Sequence, residues 1–284
     1  MHLKRLALVP LFAVSTFAAG VDFHDHIGMQ LWSVREAMKS GENFALDLVE
    51  ITGVREVETA GTGKLTPEQF ADALKAHHLQ AVGAHAGYEA LKKDAAAAIH
   101  EAKAVGAKYL ICPWMPPAMR PKNADDARRI AAEFNAWGEQ CRAAGLKFGY
   151  HTHGFEFLPA SADGKDLVFD VIMRETKPEL VCFEMDVFWV VHAGQDPVAL
   201  LKKYPDRWRL MHVKDMRKGA ETGLSTGSAP DSDGVAVGAG QIDWPAILRT
   251  AQKVGVQHYL LEDETPDPLQ CIPDSLIYLR ALKL

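Results

Sequence analysis

Eight short apolar segments punctuate this chain, and between them lie longer stretches whose apolar residues recur at helical spacing. The apolar segments are 27–32 (IGMQLW), 54–58 (VREVE), 79–85 (LQAVGAH), 107–112 (AKYLIC), 146–151 (LKFGYH), 180–186 (LVCFEMD), 208–213 (WRLMHV) and 258–263 (HYLLED). Each has the length of a strand. The stretches between them carry helix-start signals. Thr66-Pro67-Glu68-Gln69 reads as a capping box with proline at the first helical position, which gives partners to the free amides of a helix start. Asn123 opens a stretch in which Ile130, Phe134, Trp137 and Cys141 recur on one helical face, so that face is expected to be buried. Asp196-Pro197 and Asp243-Trp244-Pro245 read as further helix entries.

Strands that alternate with helices are joined by crossovers and run parallel. Eight such units over about 250 residues have the size of a closed (β/α)8 TIM barrel in a single domain. A doubly wound open sheet is the competing architecture, but no GxGxxG follows the first strand, which weakens a dinucleotide-binding version. No Pro/Ser-rich linker divides the chain. The segment 219–240 is rich in Gly, Ser, Asp and Ala, follows the seventh strand, and is long for a loop; it reads as a mobile lid or an insertion.

Composition narrows the partners. The 284 residues are 48% hydrophobic, enough for a large core, and the formal charge is -6 with both signs interspersed. Outside the N-terminus no Lys/Arg cluster appears, which argues against nucleic acid. The first residues change the picture of compartment. Lys4 and Arg5 precede an apolar run from Leu6 to Phe17, and small residues from Ala18 to Gly20 follow. That order matches a secretory signal peptide over 1–19, with the barrel in 20–284 and a periplasmic or secreted location. The run is too short to span a bilayer, which takes roughly 20 apolar residues, so no membrane partner is expected after cleavage. The four cysteines, Cys112, Cys141, Cys182 and Cys271, form no CxxC and sit among apolar residues, so buried free thiols are expected.

In a barrel the chemistry gathers at the carboxyl ends of the strands. There the third segment gives His85, the fifth His151 and His153 with Glu156 just beyond, the sixth Glu184 and Asp186, the seventh His212 and Lys214, and the eighth Glu262. Period-two alternation puts His151 with His153, Glu184 with Asp186, and His212 with Lys214 on one inward face, and turns Met211 and Val213 outward. Unpartnered burial of such groups costs several kcal/mol each. A divalent cation shared by Asp186, His212 and Glu262 offsets that cost, and mixed imidazole and carboxylate ligands suit Mn, Zn, Co or Fe better than Ca or Mg. His151, His153 and Glu156 then offer a fourth ligand and a proton-transfer group. Taken singly, His85 reads as a hydrogen-bonded core histidine, and Glu58 and Glu184 as ion-paired strand residues.

Five motifs carry a family likeness: GMQLWSVRE, GYHTHGFEF, MDVFWVVHAGQDPVALLKKYPDRWRLMHVKDM, VGAGQIDW and HYLLEDE. In this order and spacing the chain resembles the sugar phosphate isomerase/epimerase family of the xylose-isomerase-like TIM barrels. The resemblance implies one divalent metal, with Mn2+ expected first and Zn2+, Co2+ or Fe2+ as the others. It places Asp186, His212 and Glu262 on three family ligands. The fourth ligand position, usually a Glu in a Glu-Asn-His pattern, reads His151-Thr152-His153 here, so the expected ligand is His151 or Glu156, with a slight preference for Glu156. Where some zinc-dependent relatives carry a second His after the Asp, this chain has Trp189, which argues against a trinuclear endonuclease site.

The expected chemistry is proton transfer beside a carbonyl of an unphosphorylated sugar or sugar derivative, in the manner of an isomerase or epimerase. Glu156, Glu262 and His153 are the candidate bases, and Lys214 is the group to hold a developing oxyanion. His85, Trp114 and Trp189 are the expected substrate contacts; Trp32 serves equally as rim packing. No phosphate-binding Gly-rich loop is present. A 3-keto-glycoside eliminase or hydrolase of the same superfamily is the alternative, and a noncatalytic periplasmic sugar or metal binder is a third reading. The barrel shape suits a homodimer without demanding one.

Overall fold

The structure, a computed structural model, describes residues 22–162 and 164–284. The expected signal peptide over 1–19 lies outside the described residues. Eight parallel strands close into a barrel: β1 (Ile27–Gln30), β2 (Glu56–Thr59), β3 (Gln80–His85), β4 (Tyr109–Cys112), β5 (Lys147–His151), β6 (Val181–Asp186), β7 (Trp208–Val213) and β8 (His258–Leu261). They lie in sequence order around the ring, and β8 pairs with β1 to close it. All eight expected strands are present. Segments 27–32 and 258–263 stop short of their apolar runs; at β1 the Gln30 side chain accepts the Trp32 N–H and turns the chain into a short 3-10 helix.

Each strand is followed by a helix of the outer ring: α1 (Glu42–Glu50), α2 (Pro67–Ala76), α3 (Tyr88–Ala104), α4 (Ala124–Ala143), α5 (Val168–Glu175), α6 (Pro197–Lys203), α7 (Trp244–Val254) and α8 (Pro268–Ala281). The start signals work as read. Thr66 and Gln69 form the capping box, Asn123 accepts the N–H groups of Asp125 and Asp126, and Asp196 and Asp243 cap α6 and α7. On α4 the expected face is buried, and Phe134 packs on Phe148 and Tyr150 of β5 at ring-centre distances of 5.3 and 5.0 Å. Burying one such ring contributes roughly 1.5–3 kcal/mol. Among the described residues no helix is long and apolar enough to cross a membrane. All four cysteines are free, Cys271 partly exposed and the others buried.

Strand alternation divides the side chains into two cores. Met211, Val213, Phe148 and Met185 point outward into the layer between sheet and helices. A separate cluster of Val82, Tyr109, Ile111, Cys182, Leu210 and Leu260 fills the middle of the barrel. Above this plug, toward the strand carboxyl ends, the inward residues are polar. Below it, at the strand amino ends, lie Glu56 and His258. The segment 219–240 lies against the mouth, where Gly227, Ser228, Ala229 and Asp231 line the cavity. A two-residue antiparallel ribbon pairs Asp215–Met216 with Gly234–Val235, and the Asp215 carboxylate accepts N–H groups from Gly238, Gly240 and Ile242.

Candidate active site

Asp186, His212 and Glu262 converge at the mouth with ligand atoms within 4.8 Å of one another. Register brings them together: Asp186 lies beside His212 on the neighbouring strand, and His212 beside Leu260, two residues before Glu262. His212 Nδ1 is 3.3 Å from Glu262 Oε2 and 3.9 Å from Asp186 Oδ2, while His151 Nε2 is 3.8 Å from the same Asp186 oxygen. On a cation with bonds of about 2.0–2.2 Å, neighbouring ligand atoms sit roughly 3–3.6 Å apart, so these atoms need little movement to share one. The decisive atom is Asp186 Oδ2. Asp186 is fully buried; its Oδ1 accepts the Trp189 N–H at 3.1 Å as a helix cap, and its Oδ2 has no hydrogen-bond partner. A buried, unpartnered carboxylate oxygen among two imidazoles and a second carboxylate is a donor set that fits a divalent cation.

Behind this set stand Glu58 and Glu184, which orient the ligand imidazoles. His151 turns Nδ1 to Glu184 Oε2 at 2.9 Å, and His212 turns Nε2 to Glu58 Oε2 at 2.7 Å. A carboxylate only accepts, so each imidazole donates there and keeps its other nitrogen for the site. His85 bridges the two acids, 2.8 Å from Glu58 and 3.4 Å from Glu184, and Gln30 donates to Glu58 at 2.7 Å. His85, His151, Glu184 and His212 thus form a second cluster of potential ligands. His212 belongs to both clusters, and Glu184 Oε1, like Asp186 Oδ2, is buried without a hydrogen-bond partner.

The electrostatics follow from burial and crowding. Burial pushes Asp186 up to about 6, against the pull of Lys214 and His151. Burial alone would raise Glu262, yet Lys214 and His212 hold it well below the ordinary carboxylate range. Burial alone would lower His212 and His85. Glu184 and Glu262 outweigh it at His212, and Glu58 and Glu184 at His85, which rises to about 9. Lys214 lies 3.7 Å from Glu262, also pairs with Glu264, and sits over the Phe188 and Trp189 rings. Despite burial these acids raise its pKa, so it stays a cation. Trp32 donates its indole N–H to Glu264 at 2.8 Å, tying the rim to the same network.

Glu156, slightly preferred as fourth ligand and also a candidate base, departs from expectation. It joins neither ligand cluster and does not line the cavity. Gly154, at φ +91° with Trp189 O 3.1 Å from where a Cβ would stand, reverses the chain after β5, and the His153 N–H captures Glu156 Oε1 at 2.9 Å. The carboxylate is thereby held beside outward-facing Tyr150, where burial raises it to about 7 against the His153 and Gly154 amides. His151, the other expected fourth ligand, lies 3.8 Å from Asp186 Oδ2 and groups with His85, Glu184 and His212.

A cavity of about 980 Å³ opens above the cluster, lined by His85, His151, His153, Glu262 and Glu264, with Trp32, Trp114 and Trp189 among its walls. His153 stacks on Trp189 at 4.4 Å and meets the edge of Trp114 at 4.8 Å, and its Nδ1 has no hydrogen-bond partner. Burial, with His151 and Lys214 adding to it, holds this imidazole well below its ordinary range and therefore neutral. The charged residues of the wall are Lys93 against Asp94, Glu101, Asp231, Glu262 and Glu264. Gly227, Ser228, Ala229 and Asp231 of the long loop complete one side.

Comparison with known proteins agrees with this architecture. A sugar phosphate isomerase/epimerase from Parabacteroides distasonis superposes with a TM-score of 0.73 at 23% identity, over 94% of this chain and 96% of that one. A structure of the IOLI protein with a bound zinc atom gives 0.65 at 12% identity, over 90% and 95%. At these identities the agreement is one of fold. Among curated proteins, inosose dehydratase of Lacticaseibacillus casei is 24% identical over 52% of this chain and 50% of its own length. Inosose dehydratase of Clostridium perfringens is 27% identical over 51% and 50%. This chain spans about half the length of the curated relatives it matches. Residues 43–282 match the family profile, and the chain belongs to the xylose isomerase-like TIM barrel family.

Proposed function

We propose that this protein is a metal-dependent isomerase or epimerase that removes a proton beside a carbonyl of an unphosphorylated carbohydrate. The observation that carries the reading is the unpartnered, fully buried Asp186 Oδ2 facing His151 and His212. His151, Asp186, His212 and Glu262 would hold the cation, which would supply Lewis-acid stabilisation of the charge that develops beside the carbonyl. Two imidazoles and two carboxylates suit Mn2+, with Zn2+, Co2+ and Fe2+ as the other members of that class.

The chain's own groups supply the proton transfer. His153 is neutral and lines the cavity, and it is the group assigned the carbon-bound proton. Glu58 and Glu184 fix the ring orientations of His212 and His151. Lys214 helps keep Glu262 ionised and pairs with Glu264 rather than acting as a base. Trp114 and Trp189 hold the His153 ring and wall the cavity against water. With five acids against Lys93 and the protonated His85, the lining suits a neutral polyol rather than a phosphate ester. The export reading of residues 1–19 points the same way, toward free sugars in the periplasm or outside the cell.

A lyase reading has its own support: the curated relatives are named inosose dehydratase, and elimination begins with the same proton removal. Deuterium incorporation separates the outcomes. In heavy water, label at a carbon beside the carbonyl without loss of water or of a substituent marks isomerisation or epimerisation. Label together with loss of such a group marks the lyase. No exchange across a broad panel of keto- and aldo-sugars, with binding retained, would leave a noncatalytic binder.

A further inference from the structure

We propose that the base of the barrel carries a divalent-cation site of its own, built by His26, Glu56 and His258 and suited to Zn2+. The proposal is independent of the reaction at the mouth. Residues 56 and 58 of β2 point to the same face, as do 258, 260 and 262 of the eighth strand segment. Each of these two stretches therefore gives one polar residue to the mouth and one to the base, with the plug of Val82, Ile111, Cys182, Leu210 and Leu260 between. None of the three base residues lines the large cavity.

The geometry is that of a ligand set. His26 and His258 both present Nδ1 to one carboxylate, to Glu56 Oε1 at 3.0 Å and to Oε2 at 2.7 Å. The three ligand atoms lie within 4.8 Å of one another. The rings meet edge to face at 5.7 Å, and the Tyr109 ring, itself anchored by a 2.7 Å hydrogen bond to Gln257, backs His258 at 5.8 Å. Arg209 does not compete for the carboxylate: its Nη1 donates to the Trp208 carbonyl at 2.9 Å.

Backbone position preorganises the set. Glu56 and His258 are the first residues of β2 and β8, His26 immediately precedes β1, and these three strands are neighbours, with Gly28 beside Glu56 and Ile27 beside Tyr259. Two imidazoles and one glutamate with an open fourth position form a zinc ligand set. The opening is at His26, whose side chain is 31% exposed against 6% for His258 and 15% for Glu56. Bound zinc takes the place of the two Nδ1 hydrogen bonds, and each neutral ring then carries its proton on Nε2. Such an ion ties residues 26 and 56 to residue 258 across the β8–β1 seam where the barrel closes.

The test is a zinc count with two variants that isolate the ends. Purified protein is loaded with ZnCl2, dialysed and assayed by atomic emission, beside Asp186→Asn and the double variant Glu56→Gln/His258→Gln. The expected result is that Asp186→Asn keeps one tightly bound equivalent that the double variant lacks, and that added zinc raises the melting temperature of Asp186→Asn but not of the same protein also carrying Glu56→Gln. Cobalt added to Asp186→Asn should give the visible absorption of a low-coordinate His/carboxylate site. Should the double variant misfold, His26→Gln, outside the barrel strands, must lose the same equivalent. A zinc count unchanged by Glu56→Gln/His258→Gln and by His26→Gln, or no zinc-dependent shift in Asp186→Asn, overturns the proposal. Either result would leave the three residues as an ion-paired network and would not touch the mouth.

Discussion

The two ends of the barrel hold the same kinds of side chain in different states of satisfaction. At the base, both oxygens of Glu56 accept from imidazoles. At the mouth, Asp186 Oδ2, Glu58 Oε1 and Glu184 Oε1 are buried without a partner, although imidazoles stand within 4 Å of Asp186 Oδ2. Unpartnered burial costs about 1–3 kcal/mol per polar group, a cost that the base avoids in the metal-free protein by pairing both Glu56 oxygens. The two ends therefore differ in the oxygens left over, not in the inventory of histidines and acids.

Removing a mouth ligand should have the largest effect. His212→Gln and Asp186→Asn are each expected to lower kcat/KM by about 10³-fold or more, since they remove several kcal/mol of charge stabilisation, with loss of bound metal measured alongside. Wild-type turnover in either variant would end the contrast between the two ends. Next comes His153→Gln, expected to cost about 10²–10⁴-fold in kcat through loss of general-base catalysis while metal content stays the same. Glu184→Gln and Glu58→Gln, which disturb only the orientation of His151 and His212, should cost about 10–100-fold in activity or metal affinity. Equal losses for Glu184→Gln and Asp186→Asn would mean that the lower cluster, not the upper one, ligates.

At the base the kind of effect changes, from activity to stability. Glu56→Gln should leave kcat/KM at the wild-type level and lower unfolding stability of the metal-free protein by about 1–3 kcal/mol, read by urea melts. The smallest effect belongs to a partnered acid on the outer wall. Burial alone would raise Asp170, but hydrogen bonds from Lys203 at 2.8 Å and Tyr204 at 2.5 Å and the Leu167 N–H at 3.1 Å hold it below its ordinary 3.8. Its folded-state pKa is depressed, so its contribution is full above 3.8 and is lost as the pH falls through the lower folded value. Lys203 is half exposed, and such pairs contribute about 0–1 kcal/mol. Asp170→Asn should therefore lower unfolding stability near neutrality by up to about 1 kcal/mol and leave it unchanged in strong acid, flattening the acid limb, as read by urea melts at pH 7 and pH 2.5.

Much of this was legible in the chain. Alternation of apolar segments with capped helical stretches determined the eight strands, and period two determined that His151, Asp186, His212 and Glu262 face inward, because both are local properties of the backbone. Three features were decided only in three dimensions. Glu156 reads as a strand-exit acid, but Gly154 at positive φ and the His153 amide turn it behind the wall, a matter of loop geometry that sequence spacing does not encode. Glu58 and Glu184 read as ordinary strand acids, and only the register between strands sets each against one nitrogen of a ligand imidazole. Glu56 and His258, some 200 residues apart, carry no mutual signal at all until the barrel closes and makes β8 the neighbour of β1, because proximity across a seam is a property of the closed sheet and not of either strand.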